Sequence, residues 1–306
     1  MRVFLTGISG HLGSVLTASL SQVPEVEIIT GIDISPPRTD LPEKAKFVRM
    51  DIRSPELSAA MAGHDVVVHT AFIVLWKADM SQRTRDDINV NGSRNMANAA
   101  VANRVRRFVY SSSFAAYDPH LLRGQTNVVE DFPLGRGDSS SYCCNAKATV
   151  ERMLTETLEP AGITLTMFRP GYIIGPHNTA TVKWLRANKL FGRDPRSQYV
   201  HEEDVAGAFN QAVLADMPGA YNLEPDDYLT MSEAQKIIGG ESASTIPVWL
   251  ARLFMHVTWR YFGSPVHPSW LDLMLVDCTL SNAKLKKTGW QPKYKTTEVL
   301  RSACAS

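Results

Sequence analysis

Cysteine is scarce, with four in 306 residues: Cys143, Cys144, Cys278 and Cys304. That is too few for a disulfide scaffold, and none of the spacings is that of a metal site. Cys143 and Cys144 are neighbours, which ordinary disulfide geometry does not bridge without strain. The sequence therefore predicts a reduced, cytoplasmic protein with no metal. An excess of one charge is missing as well: 32 Lys+Arg stand against 31 Asp+Glu, a net charge of +1. Nucleic-acid binding wants a strongly basic face, so no such partner is predicted. No long hydrophobic run occurs either. The longest stretch, Ile246 to Phe262, is interrupted by Arg252, His256 and Arg260 and falls short of the ~18 apolar residues of a membrane span, so no membrane partner is predicted. The first strand-like run, Arg2–Leu5, begins at the second residue, so no signal peptide is expected. Repeats and low-complexity tracts are absent.

What is present is an ordinary apolar share of 44%, enough for a sizeable core. In the first half it alternates between two periods. Val3–Leu5, Val26–Ile32, Phe47–Met50, Val66–His69, Phe108–Tyr110 and Leu165–Phe168 read as buried strands. Leu12–Leu20, Pro55–Met61, Asp86–Val101 and Tyr142–Leu158 read as helices between them. Parallel neighbours need crossovers, and helices are the usual ones, so the pattern predicts an α/β fold with a doubly wound parallel sheet of the Rossmann type. After Arg169, Pro170, Gly171, Gly175 and Pro176 break the rhythm. Helices are expected near Thr181–Asn188, at Glu202–Leu214 and over Val248–Phe262. The expected division is a nucleotide lobe over 1–168 and a smaller, mainly helical substrate lobe over 169–306, with parts such as 199–217 returning to the first. The polar, Gly-rich segment from Asp118 to Ser141 is expected to be a loop over a site.

The sharpest local signal is Thr6-Gly7-Ile8-Ser9-Gly10-His11-Leu12-Gly13, directly after strand one and opening helix one. Glycines there permit a tight turn, close backbone approach to a pyrophosphate and close helix-on-strand packing. The free N–H groups of the helix start then face the phosphates. Asp33 follows Gly13 by 20 residues, at the end of the second strand, where a carboxylate accepts hydrogen bonds from adenosine ribose hydroxyls. An acid there disfavours a 2′-phosphate, which points to NAD rather than NADP. Arg38, on a nearby loop, is the one group that could serve such a phosphate.

Together with the residues that follow, this turn resembles the extended short-chain dehydrogenase/reductase family, the NAD-dependent epimerase/dehydratase group. Gly7-x-x-Gly10-x-x-Gly13 resembles its glycine motif, Asp51-Ile52 its adenine-contacting pair, and His69-Thr70-Ala71 the end of its fourth strand. Asn89-Val90-x-Gly92-Ser93 resembles its Asn-containing helix, and Tyr110-Ser111-Ser112-Ser113-x-x-x-Tyr117 the strand with its active-site serine, Ser113 matching. Arg169-Pro170 through Gly175-Pro176 resembles the loop beside the nicotinamide, Val200-His201 with Asp204-Val205-Ala206 a later helix start, and Trp290-Gln291-Pro292 a C-terminal signature. The resemblance implies that Gly7, Ser9, Gly10, His11, Leu12, Gly13, Asp33, Asp51, Ile52, Thr70, Ala71, Asn89, Lys147 and Pro170 bind the cofactor. Pro247-Val248-Trp249-Leu250-Ala251 and Pro265–Pro268 resemble the 3β-hydroxysteroid-dehydrogenase-like and dihydroflavonol-reductase-like branches. Nucleotide-sugar epimerases usually carry an Asn-bearing motif where this chain has Arg169-Pro170-Gly171-Tyr172, which leans towards a small hydrophobic substrate.

The family's chemistry implies a Tyr four residues before a Lys on one helix, about 40° apart and so on one face. The Lys holds the ribose and lowers the phenol's pKa, and the Ser hydrogen-bonds the substrate oxygen. Lys147, followed by Ala148 and Glu151, fits the lysine, but four residues back stands Cys143. Tyr142 lies five back, roughly 140° round. Three readings stay open. Tyr142 acts from an irregular first turn; Cys143 moves the proton, its thiol needing less tuning than a phenol; or the protein is an atypical member with other chemistry or none. Function is open in parallel: an NAD(P)-dependent oxidoreductase on a hydrophobic alcohol or ketone, a catalytically weak NAD(P)-binding sensor, or a nucleotide-sugar epimerase/dehydratase. His201, Glu202, Glu203 and Asp204 read as an acidic helix start rather than a metal site. Trp249, Phe254 and Trp259, at helical spacing, read as core or as the apolar wall of a substrate pocket. The resemblance further implies a homodimer through Asp86–Val101 and Tyr142–Leu158.

Overall fold

Strands β1 (Arg2–Thr6), β2 (Ile28–Asp33), β3 (Ala45–Arg49), β4 (Val66–His69), β5 (Arg107–Ser111), β6 (Thr164–Pro170) and β7 (Gly219–Leu223) form one sheet in the order β3-β2-β1-β4-β5-β6-β7. All its pairings are parallel. This is a Rossmann-type fold in a computed structural model that describes residues 1–178, 180–187, 189–190, 192–239 and 245–304. The β-branched runs are buried on both faces, as parallel strands are when helices cover both sides. Val3 and Leu5 turn to one face with Leu16, Leu20 and Phe209; Phe4 turns to the other with Met96, Leu154 and Leu165. Helices α1 (His11–Ser21) and α4 (Glu202–Leu214) cover the first face, and α2 (Gly92–Ala102) and α3 (Tyr142–Leu158) the second.

The strand order reverses between β1 and β4, which opens a crevice at their carboxyl ends. Thr6 is in register with His69 across that pair, so the two last residues meet at the floor of the crevice.

The β2–β3 crossover, where the sequence has no helix-like stretch, is a loop, because Pro36, Pro37 and Pro42 leave no run in which a helix could form. Two features differ from the sequence expectation. The predicted helix from Asp86 is interrupted by a π turn over Asp87–Asn91, between Gln82–Asp86 and α2. The seventh strand is unpredicted: Gly219 and Asn222 read as turn residues, yet Asn222 is fully buried and accepts from Tyr117 Oη at 2.6 Å. Beyond β6, short strand pairs such as Tyr172–Ile174 with Tyr199–His201 accompany the helices Ala180–Ala187, Met231–Ile237 and α5 (Val248–Tyr261). Residue 188 of the predicted 181–188 helix lies outside the described residues.

Candidate active site

A cavity of about 750 Å³ occupies the crevice. One end of it is built by the glycine turn. Gly7 adopts φ +77°, which favours glycine, and its N–H donates to Ile32 O at 2.9 Å. A Cβ on Gly13 would stand 1.9 Å from Gly7 O, and one on Gly7 2.8 Å from Thr70 Oγ1. Only glycines allow the chain to fold this tightly against the next strand and still leave a cradle. The N-terminus of α1 carries no side-chain cap and no acid in its first turn, so its N–H groups are free for an anion. Asp33 lines the same end, held by Ser9 N–H at 3.2 Å and Ser35 N–H at 3.1 Å. Asp51, Ile52 and Arg53 close it, with Arg53 bridging Asp51 at 2.6 Å and Asp87 at 2.7 Å. That partnership holds the Asp51 carboxyl below its usual range.

The positions predicted to be catalytic lie just after β5 and on α3. Ser113 ends the turn after β5 and accepts from Ala115 N–H at 3.2 Å, which leaves its own O–H free to donate. Helix α3 starts at Tyr142 without an irregular first turn, so Tyr142 and Lys147 stay on different faces. Lys147 lines the cavity, buried, donating to Ser111 O at 2.7 Å and Tyr110 Oη at 3.2 Å, with its ammonium 3.9 Å from the Phe72 ring centroid. Burial pulls its pKa down to about 7, outweighing the attraction of nearby Glu151. Cys143 lines the cavity too, its thiol near Val74 O at 3.7 Å, and burial pushes its pKa up to about 12.

Tyr142 is not among the cavity-lining residues. Its hydroxyl accepts from Asn89 Nδ2 at 3.3 Å, its ring packs edge-on against Trp76, and the Arg85 guanidinium sits over it at 4.7 Å. Burial raises its pKa further from neutrality. Ser9 and Asn89 also stand behind the cavity wall rather than in it. Asn89, presented by the π turn, binds both Ile73 N–H at 2.7 Å and Ile73 O at 3.0 Å and so fixes the segment that forms the wall. The remaining predicted cofactor residues, including Gly10, His11, Leu12, Thr70, Ala71 and Pro170, line the cavity.

Beneath the site lie buried polar groups whose partners were not foreseen. Glu151 Oε1 accepts from Ser112 Oγ at 2.5 Å and Arg169 Nε at 2.9 Å, while Oε2 takes Arg169 Nη2 at 2.5 Å. His69, fully buried, is bound by Thr6 Oγ1 at 2.7 Å and Ser93 Oγ at 2.9 Å, and burial lowers its pKa to about 3. Glu202, read from sequence as part of an acidic helix start, is buried between His11 Nε2 at 2.7 Å and His177 Nδ1 at 2.5 Å. Helical spacing alone places Glu151 on the Lys147 face, one turn along; nothing local names Arg169 as its partner.

Two expectations are corrected. The segment Asp118–Ser141 does not line the cavity; it contains the short helix Pro119–Leu122 and packs towards Asn222 and Leu280. Trp249 and Phe254 are neither core nor pocket wall, being largely exposed on α5, because the buried face of that helix is carried by Ala251. The apolar wall comes instead from Phe72–Leu75, Phe114, Val266, Trp270, Leu273 and Met274. Among the described residues no group of three or more His, Cys, Asp or Glu is arranged to hold a metal, and no helix is long and apolar enough to cross a membrane. Cys143, Cys144 and Cys278 are buried free thiols, and Cys304 is exposed.

Residues 3–223 match the NAD dependent epimerase/dehydratase family, and the chain belongs to it. The family's cofactor is NAD, and the glycine cradle, uncapped helix start and Asp33 carboxylate fit that group. An uncharacterized protein of Mycobacterium tuberculosis is 29% identical over 97% of this chain and 81% of its own length. Short-chain dehydrogenase/reductase family 42E member 1 of Xenopus laevis is 35% identical over 67% of this chain and 56% of its own. UDP-glucuronic acid 4-epimerase from Bacillus cereus, solved with NAD, shares the fold with a TM-score of 0.77 at 17% identity, covering 99% of this chain and 97% of that one. UDP-glucose 4-epimerase of Thermus thermophilus, also solved with NAD, gives 0.76 at 21% identity, covering 100% and 98%.

Proposed function

We propose that the protein is an NAD-dependent oxidoreductase acting on a small, apolar alcohol or ketone. The observation that carries this is one continuous cavity with the glycine cradle and Asp33 at one end, Ser113 and Lys147 in the middle, and an aliphatic and aromatic wall at the other. The same observation weighs against a nucleotide sugar. Among the described residues that line the cavity, Lys147 and Arg53 are the only Lys or Arg, and Arg53 is engaged with Asp51 and Asp87 at the adenine end. A sugar diphosphate would find no second cation among the described residues of the apolar end.

Gly7, Gly10 and Gly13 with the start of α1 would hold the pyrophosphate and Asp33 the adenosine ribose, while the one free donor of Lys147 serves the substrate oxygen. When bound, NAD supplies the hydride donor or acceptor of the reaction. The chain's own part is at the substrate oxygen. The Ser113 hydroxyl donates a hydrogen bond to it, and Lys147 gives the proton in reduction or takes it in oxidation. Tyr142 is turned behind the wall, and Cys143 holds its proton across the neutral range. Lys147 is the cavity-lining group brought close to neutrality, where proton transfer is most effective. Of its three N–H donors two are used by Ser111 and Tyr110, which leaves a third. Domain limits at 1–168 and 169–306 and a homodimer through the exposed polar faces of α2 and α3 belong to the same proposal.

The lowered Lys147 pKa fixes the sign of the pH dependence. Reduction needs the ammonium, so its rate falls as pH rises through about 7; oxidation needs the free amine, so its rate rises over that range. Initial rates with NADH and a panel of hydrophobic ketones, against pH, test this. Wild type and Tyr142→Phe should turn over alike, and Lys147→Met should lose about a hundredfold or more. Equal rates in wild type and Lys147→Met, or loss of activity in Tyr142→Phe alone, would contradict the assignment.

The cofactor assignment has its own test. Asp33→Ala removes hydrogen bonds to a charged acceptor, worth about 1.5–3 kcal/mol, so NAD affinity should fall about 10- to 100-fold by calorimetry, with a smaller effect on NADP.

A further inference from the structure

Helix α5 presents to solvent a face that a folded chain ordinarily buries. Trp249 is 67% exposed, Phe254 65%, Tyr261 74% and Phe262, just past the helix, 78%, with Leu250 and Leu253 between them. Val74 and Leu75, which also line the cavity, are exposed as well, on the segment that packs against α5. The packing that joins the two is direct: Trp76 N–H donates to Pro265 O at 2.9 Å, and Trp259 Nε1 to Trp76 O at 3.0 Å. Contiguous apolar surface of this kind marks an interaction site.

Charge selects the occupant. From residue 242 to 271 the sequence holds Arg252, His256, Arg260 and His267 and no acidic residue. Arg252 is neutralised by Asp272 at 2.5 Å, while Arg260 and His256 are exposed beside the aromatic side chains. A second copy docked through the same face would set Arg260 against its own equivalent, since a two-fold contact repeats one surface. At 14 residues the helix is about 21 Å long, too short for the ~30 Å hydrocarbon core, but suited to lie in the plane of the interface with aromatic side chains immersed.

We infer that the outward face of α5, with Phe262, Val74 and Leu75, docks on an anionic lipid surface and sets the mouth of the cavity against it. This revises the sequence expectation of no membrane partner: the stretch does not span, it lies flat. The docking stands on the exposed face alone. The corollary, that an apolar substrate enters the cavity from the lipid, rests on the proposed function.

Co-sedimentation of the whole chain with vesicles of phosphatidylcholine, with and without phosphatidylserine, tests the docking independently of turnover. The wild type should pellet with the phosphatidylserine vesicles and do so less as salt rises. The double variant Trp249→Ala/Phe254→Ala should bind at least tenfold more weakly, and Arg260→Glu about tenfold more weakly on the anionic vesicles only. Unchanged NAD titrations show that both variants are folded. Wild type left in the supernatant with both vesicle types overturns the inference, as does wild-type binding by the double variant. A solution dimer that the double variant dissociates assigns the face to a second copy and overturns it equally.

Discussion

Gly13→Ala is expected to lose NAD binding by at least a hundredfold and to unfold about 6–12 °C below wild type, a loss of about 3 kcal/mol. The added methyl would stand 1.9 Å from Gly7 O, 2.7 Å from Gly7 C and 2.9 Å from Ile8 Cα. All three are backbone atoms of the turn itself, so no rotamer change relieves the clash. The chain must instead push helix α1 away from β1, which moves the free N–H groups that would hold the phosphates. A control separates this from a general intolerance of glycine replacement. Gly207 lies in α4 with nothing within 4 Å of its Cβ position. Gly207→Ala should keep NAD binding and gain about 0.5–1 kcal/mol through helix propensity. Thermal unfolding and calorimetry on the pair read both effects. A Gly13→Ala protein with wild-type stability and NAD affinity would remove the cradle from the account.

Glu151→Ala should be of similar or greater effect on stability, about 3–5 kcal/mol. Arg169 and Glu151 are both buried, and the carboxylate takes two guanidinium contacts and the Ser112 hydroxyl. Removing the carboxylate leaves a buried cation and an unpaired hydroxyl, each far costlier than a lost surface pair. Arg169 also donates to Glu130 O at 2.9 Å, so its position is braced from the segment before α3 as well. Because Pro170, Gly171 and Tyr172 follow directly and line the cavity, substrate and cofactor binding should weaken with stability. The double variant Glu151→Met/Arg169→Met should be less destabilised than either single change, since the uncompensated charge is then gone. Additive losses in that cycle would show that the pair does not act as a unit.

The nucleotide half was legible because its signals are local. The glycine spacing, the strand before it, the helix after it and Asp33 at a strand end each follow from short-range geometry, and the cavity gathers them in that order. The β2–β3 loop is local in the same sense, since no helix-like stretch separates the two strands and Pro36, Pro37 and Pro42 interrupt the segment. What stayed hidden depends on contacts far apart in sequence. Asn222 looks like a turn residue until Tyr117, 105 positions earlier, supplies its partner. Glu202 looks like a helix-start acid until His11, 191 positions away, reaches it. At Tyr142 the arithmetic of helix spacing was right and the identity misleading: a regular α3 turns the phenol to Asn89 and Trp76, away from Lys147. Trp249 and Phe254 show the opposite limit, since helical periodicity marks a face but does not say whether protein covers it.

Titration calorimetry of the wild-type protein with NAD and with NADP decides whether the glycine cradle holds a dinucleotide. One NAD should bind per chain, NAD tighter than NADP, with no measurable binding to a folded Gly13→Ala protein under the same conditions. A flat titration with both dinucleotides would contradict this role of the cradle.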